Sequence, residues 1–280
     1  MKKALSFVTA SLVGLTVLLS PCDHTNALEG PLSTVNSYRI YYHVPTSTIM
    51  EEMQKLDLVI IEPYHYTKEQ IEFIQSKGTL VFGYISTMEV ANWNKTLVEK
   101  LRPTDYFYRN NEKVYFPAWD SYLMDITSEH YREILTGEVE AQVAKKGFDG
   151  IFLDTVGDID DQHYHDQALL KEQRTGLKQF LASIKELYPN KLLIQNWGID
   201  TLMTTTAPYV DGIMWENFNY KHVAKDEWSL TKVNELKKLQ EAFWFEVFTV
   251  SSEMRKKSRK YSQKQGFINY YTENGYDSWK

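Results

Sequence analysis

A single cysteine, Cys22, among 280 residues excludes a disulfide within the chain. A Gly-x-Ser-x-Gly nucleophile elbow, a phosphate-cradling glycine loop and a dinucleotide fingerprint are all absent, which removes the serine-hydrolase, nucleotide-hydrolysing and Rossmann-cofactor readings. After Gly30 no low-complexity linker or sustained charge block divides the chain, so one domain is the economical reading. Basic side chains are in deficit: 31 Lys and Arg against 37 Asp and Glu give a formal charge of −6. That balance argues against a nucleic-acid partner and favours, weakly, a cationic one.

What the chain has is a distinct start and a surplus of aromatics. Lys2 and Lys3 precede an apolar run over residues 4–19, then Pro21, and Thr25-Asn26-Ala27 offers small residues at a cleavage site. Residues 1–27 therefore read as a secretory signal peptide, with residues 28–280 as the mature, extracellular domain. A retained anchor needs a longer run, and Pro21 departs from the small residue that lipidation of Cys22 wants. Cleavage after Ala27 leaves a cysteine-free chain without membrane insertion, and removing Lys2, Lys3 and Asp23 deepens the net charge by one. The 19 Tyr, 13 Phe and 7 Trp suit core packing first and sugar stacking second.

From Tyr38 onward apolar, β-rich runs alternate with helical patterns, the signature of βα units and a parallel sheet. Candidate strands cover residues 38–43, 58–62, 80–86, 122–126, 150–154, 192–197, 212–216, 243–249 and 267–271. The fold expected is a single (β/α)8 TIM-type barrel with its site at the C-terminal ends of the strands. Nine candidates compete for eight places, and the first or the last is the expected extra. Helices are expected from Thr46, from the capping box at Thr67, from Thr127 or Ser128 to about Lys146, and over residues 167–187. Residues 88–100 have a weaker helical pattern, and residues 102–119, rich in aromatics, are expected to form one wall of a cleft.

Two stretches organise the chain. Phe148-Asp149-Gly150-Ile151-Phe152-Leu153-Asp154 and Val210-Asp211-Gly212-Ile213-Met214-Trp215-Glu216 each place an Asp-Gly turn before an apolar run that ends in a carboxylate. As parallel strands they bring Asp154 and Glu216 to similar depth on the same side. A polar residue closing an apolar barrel strand is a candidate for chemistry. By that criterion the candidates are Glu62, Tyr84, Ser86 with Glu89, Asp125, Asp154, Asn196 with Trp197, Glu216, Glu246 and Tyr270.

Glycoside cleavage requires two carboxyl groups flanking one bond, one protonated and one ionised. An aromatic-lined cleft suits Glu216 as general acid, and the shorter Asp154 suits the nucleophile with Asn196 as a donor to it. Spacing alone leaves both retention and inversion open. The acidic run at residues 157–166, with Asp158, His163 and His165, looks like a metal cluster but lacks an EF-hand register and helical histidine spacing. It reads better as a cleft rim to which Asp158 contributes. No metal and no cofactor are expected.

Leu58-Val59-Ile60-Ile61-Glu62-Pro63, Gly83-Tyr84-Ile85-Ser86-Thr87-Met88-Glu89, residues 147–156, Gln195-Asn196 and the strand ending in Glu216 together resemble the endo-α-1,4-polygalactosaminidase family, glycoside hydrolase family 114. The similarity spans about residues 38–271, and the block ending in Asp154 is its most specific part. Departures are Glu62, where many members carry Asp, and Phe248, where a Tyr is common. The resemblance implies a (β/α)8 barrel that cleaves galactosamine-containing exopolysaccharide of the kind found in biofilms, with Asp154 as nucleophile and Glu216 as acid/base. Glu62, Tyr84, Glu89, Asp125, Asp158, Asn196, Trp197 and Tyr270 are the expected substrate contacts. The partner expected is therefore a polysaccharide, met by a monomeric enzyme. The rivals are a non-catalytic polysaccharide-binding barrel and a metal-dependent deacetylase.

Overall fold

The computed structural model describes residues 30–279, so the signal segment and Cys22 lie outside the described residues. Eight parallel strands form one sheet in chain order, β1 Tyr38–Tyr41, β2 Leu58–Ile61, β3 Leu80–Ser86, β4 Gly150–Asp154, β5 Leu192–Asn196, β6 Gly212–Trp215, β7 Glu246–Ser251 and β8 Ile268–Tyr271. The sheet curls into a nearly closed barrel, and β1 meets β8 at a seam where the Tyr38 and Tyr270 rings pack at 5.8 Å. The expected barrel is thus the observed one.

The supernumerary candidate is neither the first nor the last. Residues 122–126 belong to an insertion between β3 and β4, where Ser121–Leu123 pairs antiparallel with Glu89–Ala91 and Tyr115–Phe116. Its alternating apolar pattern is that of a half-buried antiparallel strand, which local sequence does not distinguish from a barrel strand. The helix expected over residues 88–100 shrinks to Lys95–Val98, because Glu89–Ala91 is taken up by that small sheet.

Period-two alternation sorts each barrel strand into inward and outward sets. Ile40, Leu58, Ile60, Phe82, Phe152, Ile194, Met214, Phe248 and Val250 fill the interior, with Leu32 and Val35 packed against the same cluster. Ile151, Leu153, Leu193, Ile213 and Val247 point outward onto the helices. Gly150 and Gly212 do not turn the chain, as neither has positive φ. Gly150 is inward-facing and makes room for a ring: a Cβ there would sit 2.2 Å from Phe82. The preceding aspartates act as clamps, Val81 N–H donating to Asp149 at 2.7 Å and Leu193 N–H to Asp211 at 2.8 Å. Asp57 holds Asn36 and Ser37 N–H in the same manner, both at 2.9 Å. The repeated Asp-Gly is therefore a strand-start device that sets register across the barrel.

The helices follow their caps. Thr67 and Gln70 make both bonds of the capping box for Lys68–Gln75. Ser128, rather than Thr127, caps Glu129–Glu138, which continues as a π-helical turn over Val139–Ala144. The longest helix is Gln167–Leu187, capped by Asp166. Among the described residues no helix is long and apolar enough to cross a membrane.

Candidate active site

Asp154 closes β4, Asn196 closes β5, and Glu216 follows β6 directly. Alternation turns all three inward above Phe152, Ile194 and Met214. The residue after each is a non-glycine in the left-handed region, Thr155 at φ 61°, Trp197 at 55° and Asn217 at 56°. Such conformations cost on the order of 1–3 kcal/mol each and persist where surrounding contacts over-determine them. Thr155, β-branched, is the most strained of these. Its hydroxyl accepts from Met88 N–H at 2.8 Å and from Thr87 N–H at 3.1 Å, tying the β3 loop to the end of β4.

Asn196 Nδ2 donates to Asp154 Oδ1 at 2.6 Å and lies 3.3 Å from Glu216 Oε2. The two carboxyl oxygens are therefore separated by no more than the sum of those contacts, about 6 Å. Glu216 Oε1 accepts from the Tyr276 hydroxyl. Burial first, and then the Asp154 charge, raise the Glu216 carboxyl above its ordinary range, while the bonds from Tyr276 and Asn196 act in the opposite sense. Trp215, beside Glu216 in sequence, points outward and packs on Trp197, Phe218 and Trp228.

The acids open into a cleft of about 1050 Å³. Tyr84 lines it near Asp154, its hydroxyl pushed far up by burial and then by the Asp154 charge. Glu62 caps Pro63–His65 and is raised to about 7, chiefly by burial. Glu89 accepts from Ser121 and faces Asp158. Burial raises both carboxyls of that pair, and the Glu89 charge raises Asp158 further. The acidic run after β4 opens as the helix Gly157–His163, which lays Asp158, Asp160 and Asp161 along the cleft. Asp160 is tied down by Arg174 Nη2 at 2.7 Å and by the Thr201 hydroxyl at 2.6 Å. His163 is buried against Phe107. Among the described residues no cluster of His, Cys, Asp and Glu has the makings of a metal site.

Of the residues expected in the site, Glu62, Tyr84, Ser86, Glu89, Asp154, Asp158, Asn196, Trp197 and Glu216 share this cleft. Three candidates are placed elsewhere. Asp125 spends Oδ1 on Thr127 and Gln173, because its strand belongs to the insertion. Glu246 starts β7 and so sits at the opposite end of the barrel. Tyr270 packs inside the barrel beside Tyr38. Sequence reasoning missed Tyr42, Tyr64, Glu138, Trp228 and Tyr276, which also line the cleft. It also missed the rim aromatic Trp93, 59% exposed, and of the stretch 102–119 expected as a cleft wall Trp119, 72% exposed, lines the cleft.

A barrel carrying two carboxyl groups at the C-terminal ends of strands two apart has the architecture of a glycoside hydrolase. The chain belongs to glycoside-hydrolase family GH114, whose family model matches residues 25–279. It is an enzyme of the glycoside hydrolase class. The glycoside hydrolase domain of PelA from Pseudomonas aeruginosa superposes with a TM-score of 0.70 at 18% identity, covering 88% of this chain and 97% of that one. Aspergillus fumigatus Ega3, solved in complex with galactosamine, gives 0.65 at 16% identity over 92% and 98%. An α-galactosidase from Thermus thermophilus, TtGalA, gives 0.55 at 13% identity over 88% and 60%. At these identities the likeness is one of fold. No curated protein matches the sequence.

Proposed function

We propose that this GH114 enzyme is secreted and cleaves α-1,4-linked galactosamine or N-acetylgalactosamine polysaccharide internally, with retention, using Asp154 as nucleophile and Glu216 as acid/base. The observation that carries the reading is the shared amide of Asn196, which keeps Asp154 and Glu216 close enough to act on one glycosidic bond. Glu216, raised by burial and by Asp154, is suited to protonate the glycosidic oxygen while Asp154 attacks the anomeric carbon. The C–O bond breaks, the leaving sugar departs with the Glu216 proton, and a glycosyl ester forms on Asp154. Glu216, now a carboxylate, takes a proton from water, the resulting oxygen attacks the anomeric carbon, and Asp154 is released.

The substrate class is supported by the cleft. Tyr64, Trp93, Trp119, Trp197 and Trp228 all line the cleft, and aromatic rings are surfaces on which sugars stack. Glu62, Glu138 and the Glu89–Asp158 pair offer acceptors to the ammonium of galactosamine. Ega3 is recorded with galactosamine, which agrees with this reading. The signal-like segment at residues 1–27 supports secretion.

The test is incubation with partially deacetylated galactosaminogalactan in oxygen-18 water, with mass analysis of early products. Internal cleavage yields a ladder of oligosaccharides, each carrying one heavy oxygen at its new reducing end. Acetate release without chain shortening selects the deacetylase, and tight binding without new ends selects a binding protein.

A further inference from the structure

Among the described residues no helix follows β8. Residues 272–279 instead fold back across the β8–β1 seam at the mouth of the barrel. The segment is fixed at several points. Thr272 N–H donates to Ser251 O at 3.0 Å, Tyr42 N–H to Tyr276 O at 2.9 Å, and Arg39 to Ser278 O at 3.3 Å. The Trp279 ring meets Tyr41 edge-on at 5.5 Å, and the Arg39 guanidinium lies 4.2 Å from the Trp279 ring centre. Gly275 adopts φ 68°, a turn that places Tyr276 over the cleft.

We propose that residues 272–279 are a working part of the active site, in which Tyr276 is a positioning residue that orients the Glu216 carboxyl for proton transfer. The proposal rests on the acid/base role of Glu216 given above. Among the described residues Glu216 Oε2 has only the 3.3 Å contact from Asn196, which alone leaves the terminal torsion of the side chain loosely held. The Tyr276 hydroxyl supplies the second hold, on Oε1, from the opposite wall. The Tyr276 ring is in turn set by edge-on packing against Tyr42 at 5.5 Å, and Tyr42 packs on Tyr84 at 4.9 Å. Held through Oε1, the carboxyl presents Oε2 as the site for the transferable proton, on the side where Asn196 and Asp154 lie.

The titratable groups that face Glu216 are Asp154 from β4, Tyr38 and Tyr42 from the β1 side, and Tyr276 from the C-terminal segment. Burial, followed by the Glu216 charge, drives the Tyr276 hydroxyl far above its ordinary range, so it remains a donor throughout the working pH of an enzyme. Its bond favours the ionised form of Glu216. Removing it therefore raises the pH at which Glu216 gives up its proton and also frees the carboxyl to rotate.

The experiment is the pH dependence of kcat/KM on the polymer for the wild type, Tyr276→Phe, Trp279→Ala and Glu216→Gln, each checked by thermal melting. With Tyr276→Phe the alkaline limb is expected to move up by about half to one pH unit. In the same variant kcat falls roughly tenfold or more while KM stays within about twofold. Trp279→Ala, which loosens the segment but keeps the tyrosine, moves the limb in the same direction. A Tyr276→Phe profile that overlays the wild type overturns the proposal. Should that variant not fold, an unmoved limb in Trp279→Ala overturns it. Glu216→Gln separates the two claims: if it retains activity, the acid/base assignment itself fails.

Discussion

Asn196 donates to Asp154 at 2.6 Å from the same nitrogen that lies 3.3 Å from Glu216. One buried amide thus sets the spacing of both acids, and among the described residues its own Oδ1 has no partner. Asn196→Ala should keep the barrel, because the side chain belongs to the cleft rather than the apolar core. It should lower kcat by roughly 10²–10³, the usual cost of losing a donor aimed at reacting groups. Reducing-end release under saturating polymer measures this.

Glu62 gives a stability prediction whose sign follows from burial. Its carboxyl is raised from 4.5 to about 7 in the folded protein, mainly by loss of solvent. Below about pH 4.5 both states hold the proton and nothing is lost. Between about 4.5 and 7 the unfolded chain ionises first, so stability falls as pH rises and the cost levels off above 7, at on the order of 3 kcal/mol. Glu62→Gln should therefore melt with the wild type near pH 4 and above it near pH 8.

Gly150 tests the strand-start device. Alanine there would set its Cβ 2.2 Å from the Phe82 ring, which is fully buried. Gly150→Ala should destabilise by about 1–3 kcal/mol through overpacking. Adding Phe82→Leu should recover part of that loss, so the double-mutant cycle in urea gives a non-zero coupling.

The rim aromatics predict a binding defect without a chemical one. Trp93 meets Tyr64 edge-on at 5.5 Å and is 59% exposed, a surface that contributes little to stability. Trp93→Ala should raise KM for the long polymer roughly tenfold with kcat changed little, and leave cleavage of short oligosaccharides near wild type. Michaelis plots on both substrates check it.

The barrel and its acid pair were legible because both depend on local pattern. Inward alternation at β4, β5 and β6 made Asp154, Asn196 and Glu216 visible as polar ends of apolar runs, and the caps at Thr67 and Ser128 marked helices. The miscounted strand was not legible, because Ser121–Leu123 differs from a barrel strand only in its antiparallel partners, Glu89–Ala91 and Tyr115–Phe116. That error carried Asp125 into the expected site. Tyr276 was missed for a related reason: it follows the last strand in no periodic segment, and it reaches Glu216, 60 positions away in sequence, only through closure of the seam. The Asp-Gly pairs have the sequence of turns, whereas their aspartates clamp neighbouring strands and Gly150 yields space to a ring, a role set by the facing Phe82 rather than by the glycine's own neighbours.

The most direct test of the central claim, that Asp154 and Glu216 form the reacting pair, is a time course of new reducing ends from galactosaminogalactan with the wild type, Asp154→Asn and Glu216→Gln. The account predicts a ladder of products from the wild type and none above background from either variant, with all three melting within a few degrees of one another. Cleavage by both variants at the wild-type rate would contradict it.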